Sequence, residues 1–200
     1  MSRRRIIDVV VAGAGLALLT LPMTAIALGI LGVNGRPVFF RQVRSGLRAR
    51  RFHLVKFRTM SEDRDGQGQL LPDDQRITGI GRILRATRLD ELPQLWNVLV
   101  GDMSLIGPRP LLPDTIADAG VAGWSRGWIR PGLTGWAQVN GNTLLSDAEK
   151  IALDNWYIAN RSLALDFRIL GRTALVSLLG EHRDLTAIGR AHARSPHRRS

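Results

Sequence analysis

The first strong pattern in the chain is an uncharged, apolar run near its start. Residues 9–33 read VVVAGAGLALLTLPMTAIALGILGV and contain no charged side chain. A helix of this length, rising about 1.5 Å per residue, is long enough to cross the hydrocarbon core of a bilayer. The pattern therefore predicts a helical segment that meets a membrane.

Three interpretations of this segment compete. A cleaved signal peptide would use the arginines at 3–5 and a cleavage site at 25–27, but the apolar run continues past that site. A single span conflicts with the positive-inside rule, because basic residues flank both ends and no acidic residue lies between 36 and 58. A helix broken at Pro22, which lacks a backbone donor, can return to the face it entered. We favour this re-entrant form over a span that the proline merely bends.

Shorter patterns follow the apolar run. Residues 37–42 (PVFFRQ) and 52–57 (FHLVKF) have the composition of two short strands, and the connection at 45–51 predicts a β-hairpin. Residues 61–76 are polar and contain glycines and a proline, which is typical of a loop.

Helical spacing dominates the remainder. One amphipathic helix is predicted from apolar positions that recur every three or four residues, namely Leu92, Leu95, Trp96 and Leu99. Two further helices are predicted at about 147–160 and 162–179. The expected fold class is α+β: an N-terminal re-entrant membrane helix broken at Pro22, then a mostly helical cytoplasmic domain with a small β-hairpin. The expected parts are 1–33, 34–189 and a basic, disordered tail at 190–200.

Charge and cysteine content narrow the chemistry. The 200-residue chain carries 28 basic and 17 acidic residues, a net charge of +11, and no cysteine. The lack of cysteine excludes a disulfide framework, a thiolate zinc site and a cysteine nucleophile. Of the 28 basic residues, only Lys56 and Lys150 are lysines, and the others are arginines. The planar N–H donors of an arginine guanidinium match the geometry of a phosphate.

The adjacent carboxylates Asp90 and Glu91 have two readings. Asp90 stands where a helix N-cap belongs, and Pro93 falls in the first turn, where proline is tolerated. Alternatively, the pair lies at the positive end of a helix with Arg85 and Arg88 close in sequence, a place that attracts a phosphate. Local pattern alone favours the cap.

Four ordered motifs carry a resemblance that covers about residues 3 to 180: KFRTM (56–60), LDELPQLWNVL (89–99), GDMSLIGPRP (101–110) and RPGLTGWAQVNG (130–141). Behind a basic-flanked apolar segment, this set resembles the bacterial sugar transferases, the monotopic phosphoglycosyl transferases. The chain is similar to the short enzymes that begin bacillosamine-type glycan assembly. The resemblance makes residues 34–189 the catalytic domain.

The resemblance implies a reaction and a location. A sugar 1-phosphate would move from a UDP-sugar to polyprenyl (undecaprenyl) phosphate, releasing UMP, through a phosphosugar–aspartate intermediate and with Mg²⁺. Asp90 matches the family's nucleophile and would contact the metal, and Glu91 matches its partner. The enzyme would be monotopic in the bacterial inner membrane, with its catalytic domain facing the cytoplasm and with no nucleic-acid partner. Neither the sugar nor the oligomeric state follows from the sequence.

Cations are needed for such a reaction. Two unit charges about 4 Å apart repel by about 4 kcal/mol at an effective dielectric near 20, so a carboxylate cannot approach a diphosphate unaided. By motif match, the phosphate-binding candidates are Lys56, Arg58, Arg85, Arg109 and Arg130. Gln138 and Asn140 are candidates for binding the nucleotide or the sugar.

The chain departs from the family pattern at two places near these motifs. Asn142-Thr143 stands where the family usually has Arg-Asn, a difference that could bear on sugar choice. Arg88 stands where a small polar residue is common, and its role is open.

Two other functions are carried as alternatives. A membrane-tethered basic protein could bind anionic lipid or nucleic acid through 36–58 without catalysis, and its binding would weaken steeply with salt. A spanning structural protein would use Asp90 only as a helix cap.

Overall fold

A computed structural model of the chain describes residues 2–193. The fold is α+β and mostly helical, with a small antiparallel hairpin, as the pattern predicted. Its helices and strands, in chain order, are α1 (Arg3–Leu18), α2 (Thr20–Asn34), β1 (Phe39–Ser45), β2 (Arg51–Phe57), α3 (Asp73–Arg76), α4 (Gly79–Ala86), α5 (Gln94–Val100), β3 (Ser104–Ile106), α6 (Pro113–Asp118), α7 (Gly120–Ser125), β4 (Gly132–Thr134), α8 (Trp136–Val139), α9 (Asp147–Ala159), α10 (Leu163–Leu179) and α11 (Leu185–Ala193).

The N-terminal helix is broken three residues earlier than predicted. Helices α1 and α2 meet at Leu19 with a bend of 60°, and Pro22 lies in the first turn of α2. A proline clashes with the carbonyl four residues back but is tolerated in a first turn, so the helix breaks ahead of Pro22 rather than at it. Thr20 Oγ1 donates to the Leu16 carbonyl at 2.7 Å and satisfies one backbone acceptor beside the break.

Within residues 2–193, no single helix has both the length and the apolar composition to cross a bilayer. The bent pair α1–α2 does pass that test of length and composition.

Both helices of the bent pair pack on the domain along one side. Ala12 of α1 joins a core cluster with Leu95 and Val98 of α5, and Ile30 of α2 packs with Phe57 and Leu84. The opposite sides are exposed and apolar, with Leu18, Leu21, Leu28 and Val33 each more than 60% exposed.

The hairpin places one row of side chains on a common face. In its register Phe40 pairs with Lys56, Gln42 with Leu54, and Arg44 with Phe52. Because side chains alternate between faces along a strand, these residues share the same face of the hairpin. Phe52 and Leu54 belong to the core, which anchors this face to the rest of the domain.

The segment predicted as one amphipathic helix is a tight turn followed by a helix. Leu89–Glu91 form a 3-10 turn, entered from a left-handed Arg88 (φ 58°), and α5 begins at Gln94. Asp90 therefore lies within the turn and is not a helix cap. Trp96 was expected on the buried stripe but is 55% exposed. Asn97 is buried instead, where its Oδ1 accepts from Val55 N at 3.1 Å and fixes α5 to the hairpin.

The C-terminal half forms a second core beneath a short parallel pair, β3 and β4. Helices α9 and α10 lie where the pattern predicted them, and α9 starts with a capping box of Ser146 and Glu149. The core of this half holds Leu153, Tyr157 and Ile169, with Trp136 stacked on Trp156.

The prediction of a disordered tail at 190–200 is wrong for the first four of these residues. Helix α11 continues through residues 190–193, and Ala191 is buried against the second core. The remainder of that tail, 194–200, lies outside the described residues.

Candidate active site

A large open cavity lies between the hairpin, the Leu89–Glu91 turn and the end of α10. Its volume is about 1210 Å³. Among the described residues, eight basic and five acidic side chains line it, so its net charge is positive. A positive cavity of this kind attracts a polyanion such as a diphosphate.

The two carboxylates of the turn have different partners. Glu91 Oε1 accepts from Lys56 Nζ at 2.6 Å and from Arg109 Nη2 at 3.3 Å. Asp90 Oδ2 lies 3.9 Å from the same Lys56 Nζ, the only ion pair that Asp90 makes within residues 2–193. Glu91 is thus held by two cations, whereas Asp90 is available to a ligand.

The surroundings shift the two carboxyl groups in opposite directions. Burial raises the pKa of Asp90; Lys56 and Arg85 oppose that rise, and the charge of Glu91 adds to it. Burial would also raise the pKa of Glu91, but Arg109, Lys56 and Arg88 outweigh it and bring that pKa below its ordinary value. Paired carboxyl groups whose pKa values are driven apart are a mark of functional sites.

Arg85 and Arg109, two of the phosphate-binding candidates, both line this cavity. Arg85 is exposed, and its Nε donates to Thr59 Oγ1 at 2.9 Å. The backbone of Arg109 is held from behind, because Arg126 Nη2 donates to the Arg109 carbonyl at 2.6 Å. Arg126 is itself fixed by a buried ion pair with Asp154. This support fixes the backbone of Arg109, whose guanidinium contacts Glu91.

Arg58 lines the cavity but serves the backbone. Its Nη2 donates to the carbonyls of Asn34 and Gly35, and its Nη1 donates to that of Arg36 at 3.2 Å. These carbonyls belong to the last residue of α2 and the two residues after it, so Arg58 ties the end of the bent helix pair to the cavity wall.

Three other predicted residues do not line this cavity. Arg130 Nε donates to the Gly101 carbonyl at 2.8 Å, beyond the far end of α5. Gln138 is buried, with Nε2 donating to the Leu133 carbonyl at 3.1 Å. Asn140 is fully buried between Trp136 and Arg172. Each of the three side chains therefore bonds to another part of the chain, away from the paired carboxylates.

Arg44 and Glu181 are cavity residues that the sequence reasoning did not name as site candidates. Arg44 lies beside Arg109. Its pKa is lowered mainly by burial and further by the charge of Arg109. The two-residue alternation along β1 places it on the same face as Lys56 and could have found it. Glu181 accepts from Arg88, Asn142 and Thr143, but it follows α10 in a segment with no motif, so no local signal marks it.

The donor set suits a hard cation only together with a substrate. Within residues 2–193 no three His, Cys, Asp or Glu side chains lie close enough to form a metal cage. Magnesium is commonly held by one or two carboxylates together with substrate phosphates and water. The available Asp90 carboxylate, beside a cavity that attracts phosphate, fits that pattern.

Comparison with known proteins gives a consistent result. A model of a family described as bacterial sugar transferase matches residues 1–180. The chain is 50% identical over 147 residues to an uncharacterized sugar transferase, EpsL, of Bacillus subtilis (strain 168), covering 74% of this chain and 73% of that one.

Two relatives have names that state a reaction. A UDP-glucose:undecaprenyl-phosphate glucose-1-phosphate transferase of Caulobacter vibrioides is 43% identical over 181 residues, which cover 86% of this chain and 68% of the relative. A UDP-N-acetylgalactosamine-undecaprenyl-phosphate N-acetylgalactosaminephosphotransferase of Aeromonas hydrophila is 38% identical over 185 residues, covering 88% of this chain and 44% of the relative.

Proposed function

The chain belongs to the bacterial sugar transferase family, and from this premise we propose that it transfers a sugar 1-phosphate from a UDP-sugar to polyprenyl phosphate. The products are a polyprenyl-diphosphate sugar and UMP. Relatives named for glucose and for N-acetylgalactosamine support the reaction type. They differ in the sugar, so the sugar of this enzyme does not follow from them.

The observation that carries the proposal is the unequal bonding of the two carboxylates. Glu91 is bound to Lys56 and Arg109, which leaves Asp90 as the carboxylate able to attack. Its raised pKa makes it the more basic and the more nucleophilic of the two. Lys56, Arg85 and Arg109 then offset the repulsion between Asp90 and the diphosphate.

The reaction has two displacements. An Asp90 carboxylate oxygen attacks the phosphorus that bears the sugar, and the bond from that phosphorus to the UMP oxygen breaks. The lipid phosphate oxygen then attacks the same phosphorus and releases the Asp90 carboxylate. Covalent catalysis of this kind suits one substrate that comes from water and another that comes from the bilayer.

A bound Mg²⁺, held by Asp90 and the substrate phosphates, would neutralise charge at the diphosphate. Arg85 and Arg109 would share that charge, and Glu91 would keep Lys56 and Arg109 in place.

We further propose that the bent pair α1–α2 enters the cytoplasmic leaflet and returns to the same side. Its exposed apolar side and its 60° bend support this form. In the bacterial inner membrane this places residues 34–189 in the cytoplasm, where the polyprenyl phosphate headgroup can enter the cavity.

The test uses purified full-length protein with radiolabelled UDP-sugars and Mg²⁺, first without a lipid acceptor. We expect release of UMP and a labelled phosphosugar adduct on the protein, and turnover when polyprenyl phosphate is added. Asp90→Asn should form no adduct, while Asp147→Asn, at an exposed carboxylate outside the cavity, should behave as wild type. If wild type releases no UMP from any UDP-sugar, the proposal is wrong. An adduct that persists in Asp90→Asn would move the nucleophile elsewhere.

A further inference from the structure

A cluster of four polar residues forms one end of the active-site cavity and has no role in the displacement chemistry. Both carboxylate oxygens of Glu181 accept hydrogen bonds: Oε1 from Arg88 Nη2 and from Asn142 Nδ2 at 2.6 Å, and Oε2 from Thr143 N at 3.1 Å and from Thr143 Oγ1. These bonds join three segments that are remote in sequence. We name the four residues the sugar cluster: Arg88, Asn142, Thr143 and Glu181.

The cluster is next to the reacting groups. Arg88 precedes the nucleophile Asp90 by two residues, and its left-handed backbone conformation opens the turn that carries both carboxylates. Its charge contributes to the lowered pKa of Glu91, which indicates that the guanidinium is near the dyad. All four cluster residues line the same cavity as Asp90. Since the sugar is attached to the phosphorus that Asp90 attacks, the sugar must lie beside this turn.

The chemistry of the cluster suits a hydroxylated ring better than a phosphate. Arg88 and Glu181 neutralise each other in an ion pair, so this end of the cavity attracts an anion less than the unpaired cations near Asp90 do. A guanidinium has five N–H donors, of which Glu181 engages one, on Nη2, and a threonine hydroxyl can accept while it donates. Donors and acceptors of this mixed kind bind sugar hydroxyls, whereas Lys56, Arg85 and Arg109 are left for the diphosphate.

The cluster brings together residues from distant parts of the chain. Arg88 and the pair Asn142-Thr143 are separated by more than fifty residues, yet they meet on the same carboxylate. Arg88, Asn142 and Thr143 are therefore one structural unit around Glu181.

We propose that the sugar cluster contacts the sugar of the UDP-sugar and determines which sugar is transferred. Arg88, Asn142 and Thr143 make the contacts, and Glu181 is a positioning residue that orients all three. The proposal rests on the proposed function, because it takes the sugar 1-phosphate as the group transferred.

The test compares kcat/KM for UMP release across UDP-glucose, UDP-galactose, UDP-N-acetylglucosamine and UDP-N-acetylgalactosamine, with polyprenyl phosphate present. Two near-isosteric variants are used: Glu181→Gln, which removes the charge, and Thr143→Val, which removes the hydroxyl from an exposed residue. The control is Glu149→Gln, because Glu149 also pairs with an arginine, Arg183, but does not line the cavity.

We expect both cluster variants to lower kcat/KM about 10- to 100-fold for the best sugar, as the loss of hydrogen bonds to a charged group does. The fall for a sugar that differs at one hydroxyl should be much smaller, so the preference between the two shrinks about tenfold. Inhibition by UMP, which carries no sugar, should change less than about twofold. The control should keep the wild-type preference.

Several results would overturn the inference. An equal fall for every sugar, with weaker UMP inhibition, would make the cluster a structural brace, as would an unchanged preference in Thr143→Val. If wild type releases no UMP from these donors or from any other UDP-sugar, the proposed function fails and the inference fails with it. If wild type turns over and both variants keep the wild-type sugar preference, the inference fails while the proposed function stands.

Discussion

Lys56 donates to Glu91 across 2.6 Å, while the same ammonium stands 3.9 Å from Asp90. One cation from the hairpin thus serves two adjacent carboxylates unequally. It forms a hydrogen-bonded ion pair with Glu91, whereas its charge acts on Asp90 only from a longer distance. This inequality separates the roles of two residues that the sequence presents as a simple pair.

Removal of this cation should slow adduct formation. In Lys56→Met, Glu91 keeps only Arg109, and the incoming diphosphate meets one less positive charge. We expect the rate of adduct formation to fall about 10²- to 10³-fold, the usual effect of losing one preorganised electrostatic contact. Single-turnover measurements with labelled UDP-sugar would give this rate. Lys150→Met is a matched control, because Lys150 pairs with the exposed Asp147 and should keep the wild-type rate.

The pH dependence of adduct formation should follow the ionisation of Asp90. The attacking form is the carboxylate, so the rate should rise with pH through the Asp90 pKa, which burial places above that of an ordinary aspartate. Lys56→Met removes a charge that lowers this pKa and should move the acid limb to higher pH. Glu91→Gln removes a charge that raises it and should move the limb to lower pH.

The two shifts are read from the position of each limb, whatever the height of the profile. If the acid limbs of Lys56→Met and Glu91→Gln moved in the same direction, a group other than Asp90 would control the rate.

The buried pair behind Arg109 should matter for stability. Arg126 and Asp154 side chains are 4% and 1% exposed, and Arg126 also donates to the Arg109 carbonyl. Arg126→Met leaves Asp154 buried without its cation, so we expect a loss of about 3–5 kcal/mol in the free energy of unfolding. Denaturant unfolding of wild type and each variant in the same detergent would measure this loss of free energy. Asp147→Asn breaks an exposed pair and should cost at most about 1 kcal/mol, so equal losses in the two variants would contradict the argument.

The bend at Leu19 predicts where the N-terminus lies. The chain has no native cysteine, so single cysteines at Ser2 and Gln67, both exposed, can be labelled with an impermeant maleimide in intact cells and in opened spheroplasts. Both should react only after the cytoplasm is opened. Pro22→Ala restores the missing backbone donor and removes the clash, so part of the population should form a continuous helix with Ser2 labelled from outside. Outside labelling of Ser2 in the otherwise native chain would mean a span.

The local sequence determined the parts whose cause is local. Two strand-like segments and the connection at 45–51 predicted the hairpin, and two closing helices were predicted where α9 and α10 lie. Pro22 predicted a break, because a missing donor acts on the helix that contains it. The displacement of that break to Leu19 also follows from the reach of the proline ring, four residues back.

The tertiary structure alone decided which similar residues share a site. Arg58 shares a motif with Lys56, and Arg130 lies in another motif, yet the guanidinium groups of both arginines bind backbone carbonyls. Glu181 carries no motif, yet it meets Arg88 in the cavity. A side chain's partner depends on segments brought together by packing of the whole core, and no pattern within a few residues of it encodes that packing. The sequence therefore indicates the chemistry, and the fold assigns the roles.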